Sequence, residues 1–283
     1  MSARPWLITS ALMVAAITLV GCAQPAPESS KPPVAEPAGW SCDGASGPAS
    51  WAEVDPGFAA CGAGTAQSPI DLPATMPAPS SVIQLSAEDA EADVFDTGHA
   101  VEFEADGEGE TLTFAGDEYS LQQMHAHVPS EHTVNGQPAA AELHLVHADA
   151  AGNPLVLGIL VAEGQTSGVL APFIDRATHM ADDEDVTMDI AAVLPRTLDN
   201  YEYSGSLTTP PCTEDVQWVV TSTPISMSAE QIGTLEGTQS QRTAGAAAGG
   251  PGCGWRIREA RDRGVAAGSF RASAPGLPGP GTH

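Results

Sequence analysis

Positive charge is scarce in this sequence: it has 10 Lys and Arg residues against 36 Asp and Glu residues, a formal net charge of −26 at pH 7. Nucleic acids and anionic membrane surfaces repel a chain of this charge, so we expect neither as a partner. The acidity is typical of a heavily hydrated surface suited to salty water, and the alternative is an acidic binding patch. We favour the hydrated surface.

Cysteine is also scarce, and its spacing excludes a cysteine-ligated zinc site, which needs pairs separated by two residues. The sequence has no His-Glu-x-x-His motif of the zinc hydrolases either. The few cysteines fit an exported protein, because an oxidising compartment permits a disulfide. The five are Cys22, Cys42, Cys61, Cys212 and Cys253.

The N-terminal apolar run, residues 7–20, is too short to cross a bilayer, which takes about 20 residues. It follows Arg4 and ends in Leu-Val-Gly-Cys22, which resembles the lipobox of bacterial lipoproteins, where the cysteine carries lipid. A plain signal peptide cut nearby is the alternative. We expect residues 1–21 to be a lipoprotein signal peptide. The protein is then exported, to the periplasm or the cell surface, and Cys22 anchors it to a bacterial membrane.

Composition divides the remaining chain into three parts. Residues 22–38 are rich in Pro, Ala, Ser and Glu, bury too little apolar surface to fold, and are expected to form a tether. Residues 39–241 alternate short apolar runs with turn residues and are long enough for a core of their own. Residues 242–283 hold six of the ten basic residues in a Gly, Ala and Pro background, and we expect this tail to be disordered or to fold back onto the acidic domain.

Apolar periodicity in the middle part favours strands over helices. Residues 101–104 and 111–114 alternate with period two and are predicted to pair as a hairpin. The continuous apolar run 155–161 predicts a central strand buried on both faces, and residues 217–221 predict another strand. The best helical pattern is residues 167–180.

Histidine is concentrated in one segment of 23 residues, interleaved with Glu131 and Glu142. A single histidine in a strand is usually an ordinary core or surface side chain. Five so close together are harder to explain in that way: His125, His127, His132, His144 and His147.

Two of these histidines are spaced so that they share one face of a strand. Alternate strand residues point the same way, so His125 and His127 project together, and a neighbouring strand could add His144. Three neutral imidazoles plus one water form the open tetrahedral arrangement of catalytic zinc. Gln123 and Glu142 share these faces, where they either orient the ligand rings or form ordinary cross-strand pairs.

Five motifs follow one another along the chain: QSPIDL at 67–72, TGHAVEF at 97–103, HAHVPSEHTVNG at 125–136, AAELHLVH at 140–147 and YEYSGSLTTPPCTEDVQWVV at 201–220. In sequence and in order they resemble the α-class carbonic anhydrases, in particular bacterial, exported members. The similarity covers residues 40–239. It implies a mainly β (α+β) fold, with a large central, mostly antiparallel twisted sheet and short peripheral helices. It also implies a lyase (carbonate dehydratase) that uses Zn²⁺ to hydrate carbon dioxide reversibly to bicarbonate and a proton.

The resemblance assigns the metal site residue by residue. It implies that His125, His127 and His144 bind zinc, that Gln123 holds His125, and that Glu142 holds His144. Outer partners of this kind fix the tautomer of each ligand ring.

The resemblance also implies catalytic roles. Thr208 accepts the proton of hydroxide held on zinc and donates its own to Glu131, Thr209 lines the substrate side, and His99 carries protons to buffer. The alternative for His99 is an exposed loop histidine, and for the apolar wall it is plain core packing. The residues implied to bind carbon dioxide are Val146, Val156, Leu207, Thr208, Thr209, Val216 and Trp218.

The cysteines match the family in part. The resemblance implies a disulfide between Cys61 and Cys212, which would fix the Thr208 turn to the N-terminal segment; free buried thiols are the alternative. Cys42 stands where the family usually has a tyrosine in the water network of the active site. We expect altered proton transfer there and an odd thiol.

The family's C-terminal closing segment is replaced in this chain by the basic tail. That segment supplies closing strands and a backbone carbonyl that bonds the zinc ligand corresponding to His127. Its loss predicts an uncovered sheet edge and typically costs about 10–100-fold in metal affinity or activity. The alternative functions are therefore an acatalytic or weakly active zinc-binding protein on the same fold, zinc capture or surface adhesion, and a zinc hydrolase for another substrate.

Overall fold

The computed structural model describes residues 39–42, 44–75, 82–86, 89–97, 99–105, 110–179 and 185–243. The predicted signal peptide, the tether, the lipidated Cys22 and the tail from residue 244 onward lie outside the described residues. No helix in these described ranges is long and apolar enough to cross a membrane.

Strands dominate the described residues, as the turn-rich sequence predicts. They are β1 (Asp71–Leu72), β2 (Ile83–Leu85), β3 (Asp89–Asp96), β4 (Val101–Ala105), β5 (Thr111–Phe114), β6 (Asp117–His127), β7 (Thr133–Val134), β8 (Gln137–Pro138), β9 (Ala141–Ala148), β10 (Pro154–Glu163), β11 (Val186–Asp189), β12 (Asn200–Ser206) and β13 (Glu214–Met227).

Ten of the described strands form one large sheet in the order β11-β3-β4-β6-β9-β10-β13-β12, and β2 and β5 continue it beside β6. All its pairs are antiparallel except β10 with β13. The apolar run 155–161 lies in β10 between β9 and β13, and it is buried throughout. The prediction of a mainly β fold with a central, mostly antiparallel sheet is therefore confirmed.

The hairpin predicted between residues 101–104 and 111–114 is wrong, although both segments are strands. β4 pairs with β3 and β6, whereas β5 pairs with β2 and β6. β5 meets the first residues of β6, and β4 meets Gln123–His125 further along the same strand. Period-two alternation shows which face of a strand is buried, but it does not identify the strand's partner.

The two faces of the sheet carry different cores. One face packs with two helices into an apolar cluster that includes Met124, Leu143 and Leu145. The other face buries a smaller cluster around Trp218 and Tyr203. Because side chains alternate along a strand, the even-numbered residues of β9 point to the second cluster, and this alternation places His144 there.

The helices are short and lie outside the sheet: α1 (Trp51–Val54), α2 (Ala60–Ala63), α3 (Ala171–Thr178) and α4 (Ala229–Thr243), with 3₁₀ turns at Gly44–Ser46, Pro56–Phe58 and Ala191–Val193. The helix predicted at 167–180 is present as α3, and Pro172 is in its first turn. The sequence analysis missed α4, which ends two residues beyond the predicted domain boundary at 241.

A capping box begins α4 and could have identified it from the sequence. Ser228 Oγ accepts from the Gln231 N–H at 3.2 Å, and Gln231 Oε1 accepts from the Ser228 N–H at 3.3 Å. This Ser-x-x-Gln pattern satisfies two of the otherwise unpaired donors of the first turn. Gly233 and Gly237 weaken the helical pattern of this segment, because each glycine in a helix interior is about 1 kcal/mol less favourable than alanine.

The predicted disulfide between Cys61 and Cys212 is present, and both residues are buried beside Trp51. It joins α2 to the turn that follows Thr208 and Thr209, as expected. Cys42 is also disulfide-bonded, so the expectation of an odd thiol is wrong.

Candidate metal centre

Three histidines converge where β6 and β9 lie side by side. His125 and His144 are direct cross-strand partners, and His127 is two residues further along β6 on the same face. The ring centroids are 4.9 Å apart for His125 and His127, 5.1 Å for His125 and His144, and 4.6 Å for His127 and His144. One nitrogen from each ring can be chosen so that all three lie within 4.8 Å of one another. The structure thus brings the three predicted ligands together.

Neighbouring acceptor oxygens indicate which nitrogen two of these rings present. Gln123 Oε1 is 2.7 Å from His125 Nδ1 and can only accept, so Nδ1 carries the proton and Nε2 keeps its lone pair. Glu142 Oε1 is 3.1 Å from His144 Nε2, which leaves the lone pair of His144 on Nδ1. Gln123 and Glu142 therefore lie beside the rings that the resemblance implies they hold.

The third ring, His127, supplies the test of whether a metal fits. Its Nε2 is buried, and among the described residues no hydrogen bond satisfies it. A buried polar atom left without a partner costs about 1–3 kcal/mol, which a bound cation would remove. Three converging lone pairs, one of them on an orphaned buried nitrogen, fit a metal with imidazole ligands.

The electrostatics of the centre keep the His125 and His127 imidazoles neutral. Burial, with a smaller contribution from the nearby His144, lowers the pKa of His125 to about 3. Burial, and after it the neighbouring His144 and His125, hold the pKa of His127 well below its usual range. Metal ions bind the neutral ring, so at neutral pH no proton competes with the metal.

A buried relay continues behind Glu142, and the sequence analysis did not predict it. His132 Nδ1 donates to Glu142 Oε1 at 2.7 Å, which leaves His132 Nε2 as an acceptor. The Tyr203 hydroxyl therefore donates to His132 Nε2 at 2.6 Å. Ser68 Oγ in turn donates to the Tyr203 oxygen at 2.8 Å. Burial alone would raise the pKa of Glu142, but His132 and His144 outweigh it and hold that pKa well below its usual range. Glu142 is thus an ionised acceptor whose position is fixed from two sides.

His132, Glu142 and His144 also lie close enough together to suggest a second metal site. Their nitrogens and oxygens bond one another and Tyr203, however, so this group is a hydrogen-bond network that supports the first site.

Glu131 lies at the edge of the three-histidine centre. Its Oε2 is 3.5 Å from His127 Nε2 and 4.0 Å from His144 Nδ1. Burial and the charge of Glu142 raise the pKa of Glu131 well above its usual range, while the Thr208 side chain acts in the opposite direction. A cation held by the histidines would also favour the carboxylate. The Thr208 side chain thus lies beside Glu131, at the edge of the three histidines.

The predicted apolar wall also assembles in one place. Val156, Val216 and Trp218 are buried in the second cluster, and Val146 and Leu207 pack against it half-buried. The Trp218 ring is 4.9 Å from the His144 ring, so the wall adjoins the metal centre. Thr209 lies in the adjoining turn, where its carbonyl accepts from the Cys212 N–H at 2.9 Å.

His99 lies in the turn between β3 and β4. Its ring stacks on Trp40, with centroids 3.6 Å apart and planes inclined by 11°. His99 is three residues before Glu102 in the sequence, and Glu102 is the cross-strand partner of His125. His99 is therefore at the end of the sheet that carries the centre, supported by an aromatic face, and its role as a proton carrier stays a prediction.

Glu102 is a carboxyl group that the sequence analysis did not single out. Burial, with a smaller contribution from Glu104, raises its pKa from 4.5 to about 7 in the metal-free protein. When the pKa of a carboxyl group is higher in the folded than in the unfolded protein, its contribution to folding stability is fully present below the unfolded-state pKa. That contribution is lost as the pH rises through the folded-state pKa.

We therefore expect the free energy of unfolding of the metal-free protein to fall by about 1–3 kcal/mol between pH 4.5 and 7 because of Glu102. The variant Glu102→Gln should lack that part of the fall. Denaturant unfolding of both proteins across this pH range measures it, and parallel curves would refute the assignment.

A second buried pair lies on the opposite face of β9 from the ligands. His147 Nδ1 donates to the Leu145 carbonyl at 3.0 Å, and His147 Nε2 is 3.3 Å from Glu110 Oε2, with both side chains fully buried. His147 is thus a core histidine, a role that its place in the histidine-rich segment did not reveal.

The comparisons with known proteins agree with this geometry. The model of the eukaryotic-type carbonic anhydrase family matches residues 46–248. This chain belongs to that family. A carbonic anhydrase of Pectobacterium atrosepticum is 35% identical over 196 residues, which cover 68% of this chain and 80% of that protein. One of Neisseria gonorrhoeae is 36% identical over 186 residues, which cover 65% and 74%.

Carbonic anhydrases also share the fold. The α-carbonic anhydrase of Thermovibrio ammonificans, solved with the inhibitor sulfanilamide, aligns with a TM-score of 0.62 and 31% identity, covering 72% of this chain and 92% of that one. The α-class resemblance is thereby confirmed, and the protein is a carbonic anhydrase, a lyase whose substrates are carbon dioxide and bicarbonate. The acatalytic alternative gains no support.

Proposed function

We propose that this carbonic anhydrase hydrates carbon dioxide with a zinc ion held by His125, His127 and His144. The reaction is carbon dioxide plus water to bicarbonate plus a proton, and it is reversible. The observation that supports the proposal is the convergence of three imidazole lone pairs, two fixed by Gln123 and Glu142.

When bound, zinc supplies the nucleophile: in carbonic anhydrases it lowers the pKa of water from 15.7 to about 7. The protein's part is to direct that nucleophile. With a cation on the histidines, Glu131 would be ionised and could only accept, so the Thr208 hydroxyl would donate to it and keep its own oxygen as an acceptor. An attacking water whose proton points to Thr208 directs a lone pair toward the wall of Val146, Val156, Leu207, Val216 and Trp218, where carbon dioxide rests beside Thr209.

One proton leaves the site in each hydration cycle. We assign its transfer to buffer to His99, because an imidazole titrates near neutral pH. The stack on Trp40 holds the ring at the end of the sheet nearest to His125.

Replacing Thr208 by alanine is expected to lower kcat/KM for carbon dioxide hydration roughly 10²-fold, because the nucleophile loses its orienting acceptor. Zinc content should stay at the wild-type level, since Thr208 is not a ligand. Stopped-flow hydration assays with parallel metal analysis measure both quantities.

Thr208→Ser is the matched control, because it keeps the hydroxyl and removes only a methyl group. It should retain most of the activity. Full activity in Thr208→Ala would show that Thr208 has no orienting role.

We also propose that the protein works outside the cytoplasm, anchored by lipid on Cys22 to a bacterial membrane. The Leu-Val-Gly-Cys22 motif supports this location, and the Cys61–Cys212 disulfide suits an oxidising compartment. The intact mass of the native protein extracted from membranes tests it: a diacylglycerol on Cys22 supports the proposal, and an unmodified N-terminus that retains residues 1–21 contradicts it.

A further inference from the structure

The helix α4 is connected to the metal centre by one glutamine. Gln239 Nε2 donates to the Ala126 carbonyl at 2.7 Å, and Gln239 Oε1 accepts from the Val128 N–H at 3.3 Å. These two peptide groups stand on either side of His127. A carboxamide has the same donor and acceptor as a peptide group, so Gln239 bonds the chain around His127 as a strand would.

β9 pairs with one side of β6 as far as His127, but the strand on the other side, β4, does not reach this point. The ladder between β4 and β6 ends at the Glu102–His125 pair, one residue before Ala126. His127 is the last residue of β6, after which the chain turns toward Glu131. The end of a strand frays unless its peptide groups are bonded, and Gln239 supplies such bonds from 111 and 113 residues away in sequence.

A second glutamine of α4 makes the same kind of contact elsewhere. Gln231 accepts from the Ser167 N–H and donates to the Ser167 carbonyl, both at 2.8 Å. Leu235 lies between the two glutamines, one turn from each, and is 2% exposed in the core. One face of α4 is therefore fixed at Gln231, Leu235 and Gln239, and only Gln239 is adjacent to a metal ligand.

We propose that Gln239 is a positioning residue for the metal ligand His127. By holding the peptide groups before and after His127, it fixes the Cα of that residue and the direction of its ring. His125 and His144 have side-chain partners that orient their rings, whereas His127 is held through its backbone. The inference rests on the zinc site proposed above.

The test compares Gln239→Leu with Gln231→Leu in the full chain. Both variants replace a glutamine of α4 by a residue of similar size. Gln239→Leu removes two hydrogen bonds to backbone and Gln231→Leu removes three, so both are expected to lower the melting temperature. Zinc affinity is measured by competition with a chelator, and the geometry of the site by the visible absorption spectrum of the cobalt(II)-substituted protein.

Gln239→Leu is expected to weaken zinc binding about 10-fold and to alter the cobalt spectrum, while Gln231→Leu leaves both as in the unchanged protein. Equal zinc affinity in Gln239→Leu and the unchanged protein, or an equal loss in both variants, would overturn this inference alone. Failure of the unchanged protein to bind zinc would overturn the proposed function together with it.

Discussion

Replacing His144 by alanine is expected to weaken zinc binding roughly 10²-fold and to abolish carbon dioxide hydration. Apparent binding free energies of protein zinc sites with four ligands are about 10–16 kcal/mol, so one ligand is worth about 3 kcal/mol, or roughly 10²-fold in the dissociation constant. Turnover should fall to the uncatalysed background, because nothing else at the site can ionise water at neutral pH. Metal analysis and stopped-flow hydration of the same preparation measure the two losses.

His147→Ala is the matched control for that variant. His147 is a fully buried histidine of the same strand, but its side chain faces Glu110 on the other side of the sheet. The control should lose stability, because it leaves Glu110 buried without its neighbour, and it should keep its zinc. Loss of zinc from His147→Ala, or retention of zinc and activity by His144→Ala, would contradict the ligand assignment.

Removing the disulfide between Cys61 and Cys212 is expected to have the largest effect on stability. The two residues are 151 positions apart, so the bond closes a long loop in the unfolded chain and restricts that state strongly. The double variant Cys61→Ala/Cys212→Ala should lose about 3–4 kcal/mol of unfolding free energy and about 10 °C in melting temperature.

Thermal unfolding with and without reductant separates this bond from the one at Cys42. The unchanged protein should lose stability when reduced. The double variant should have a lower melting temperature before reduction. Reductant should lower it further only by breaking the disulfide at Cys42. A double variant as stable as the unchanged protein would show that this disulfide does not stabilise the fold.

Much of the metal site could be predicted from the sequence because its geometry is periodic. His125 and His127 are two residues apart, and strand residues at that spacing share a face. That a neighbouring strand adds His144 was an open possibility in the sequence, and its register directly opposite His125 is seen only in the structure, since spacing along a chain does not fix which strands pair. The hairpin wrongly predicted for residues 101–104 and 111–114 shows this limit: the strands are present, and their partners differ.

The histidines of the same segment show a second limit. His132 and His147 are as close in sequence to the ligands as the ligands are to each other, yet one relays hydrogen bonds from Tyr203 and the other faces Glu110. Neutral imidazole serves equally well as ligand, relay and core residue. Only the positions of neighbouring acceptors decide between these roles, and those positions depend on strand register.

Zinc K-edge X-ray absorption of the purified protein tests the central claim most directly. We expect one zinc per chain with three imidazole nitrogens and one water oxygen at about 2.0–2.1 Å. A protein that holds no stoichiometric zinc after reconstitution, or a zinc bound by sulfur or by water alone, would contradict the account.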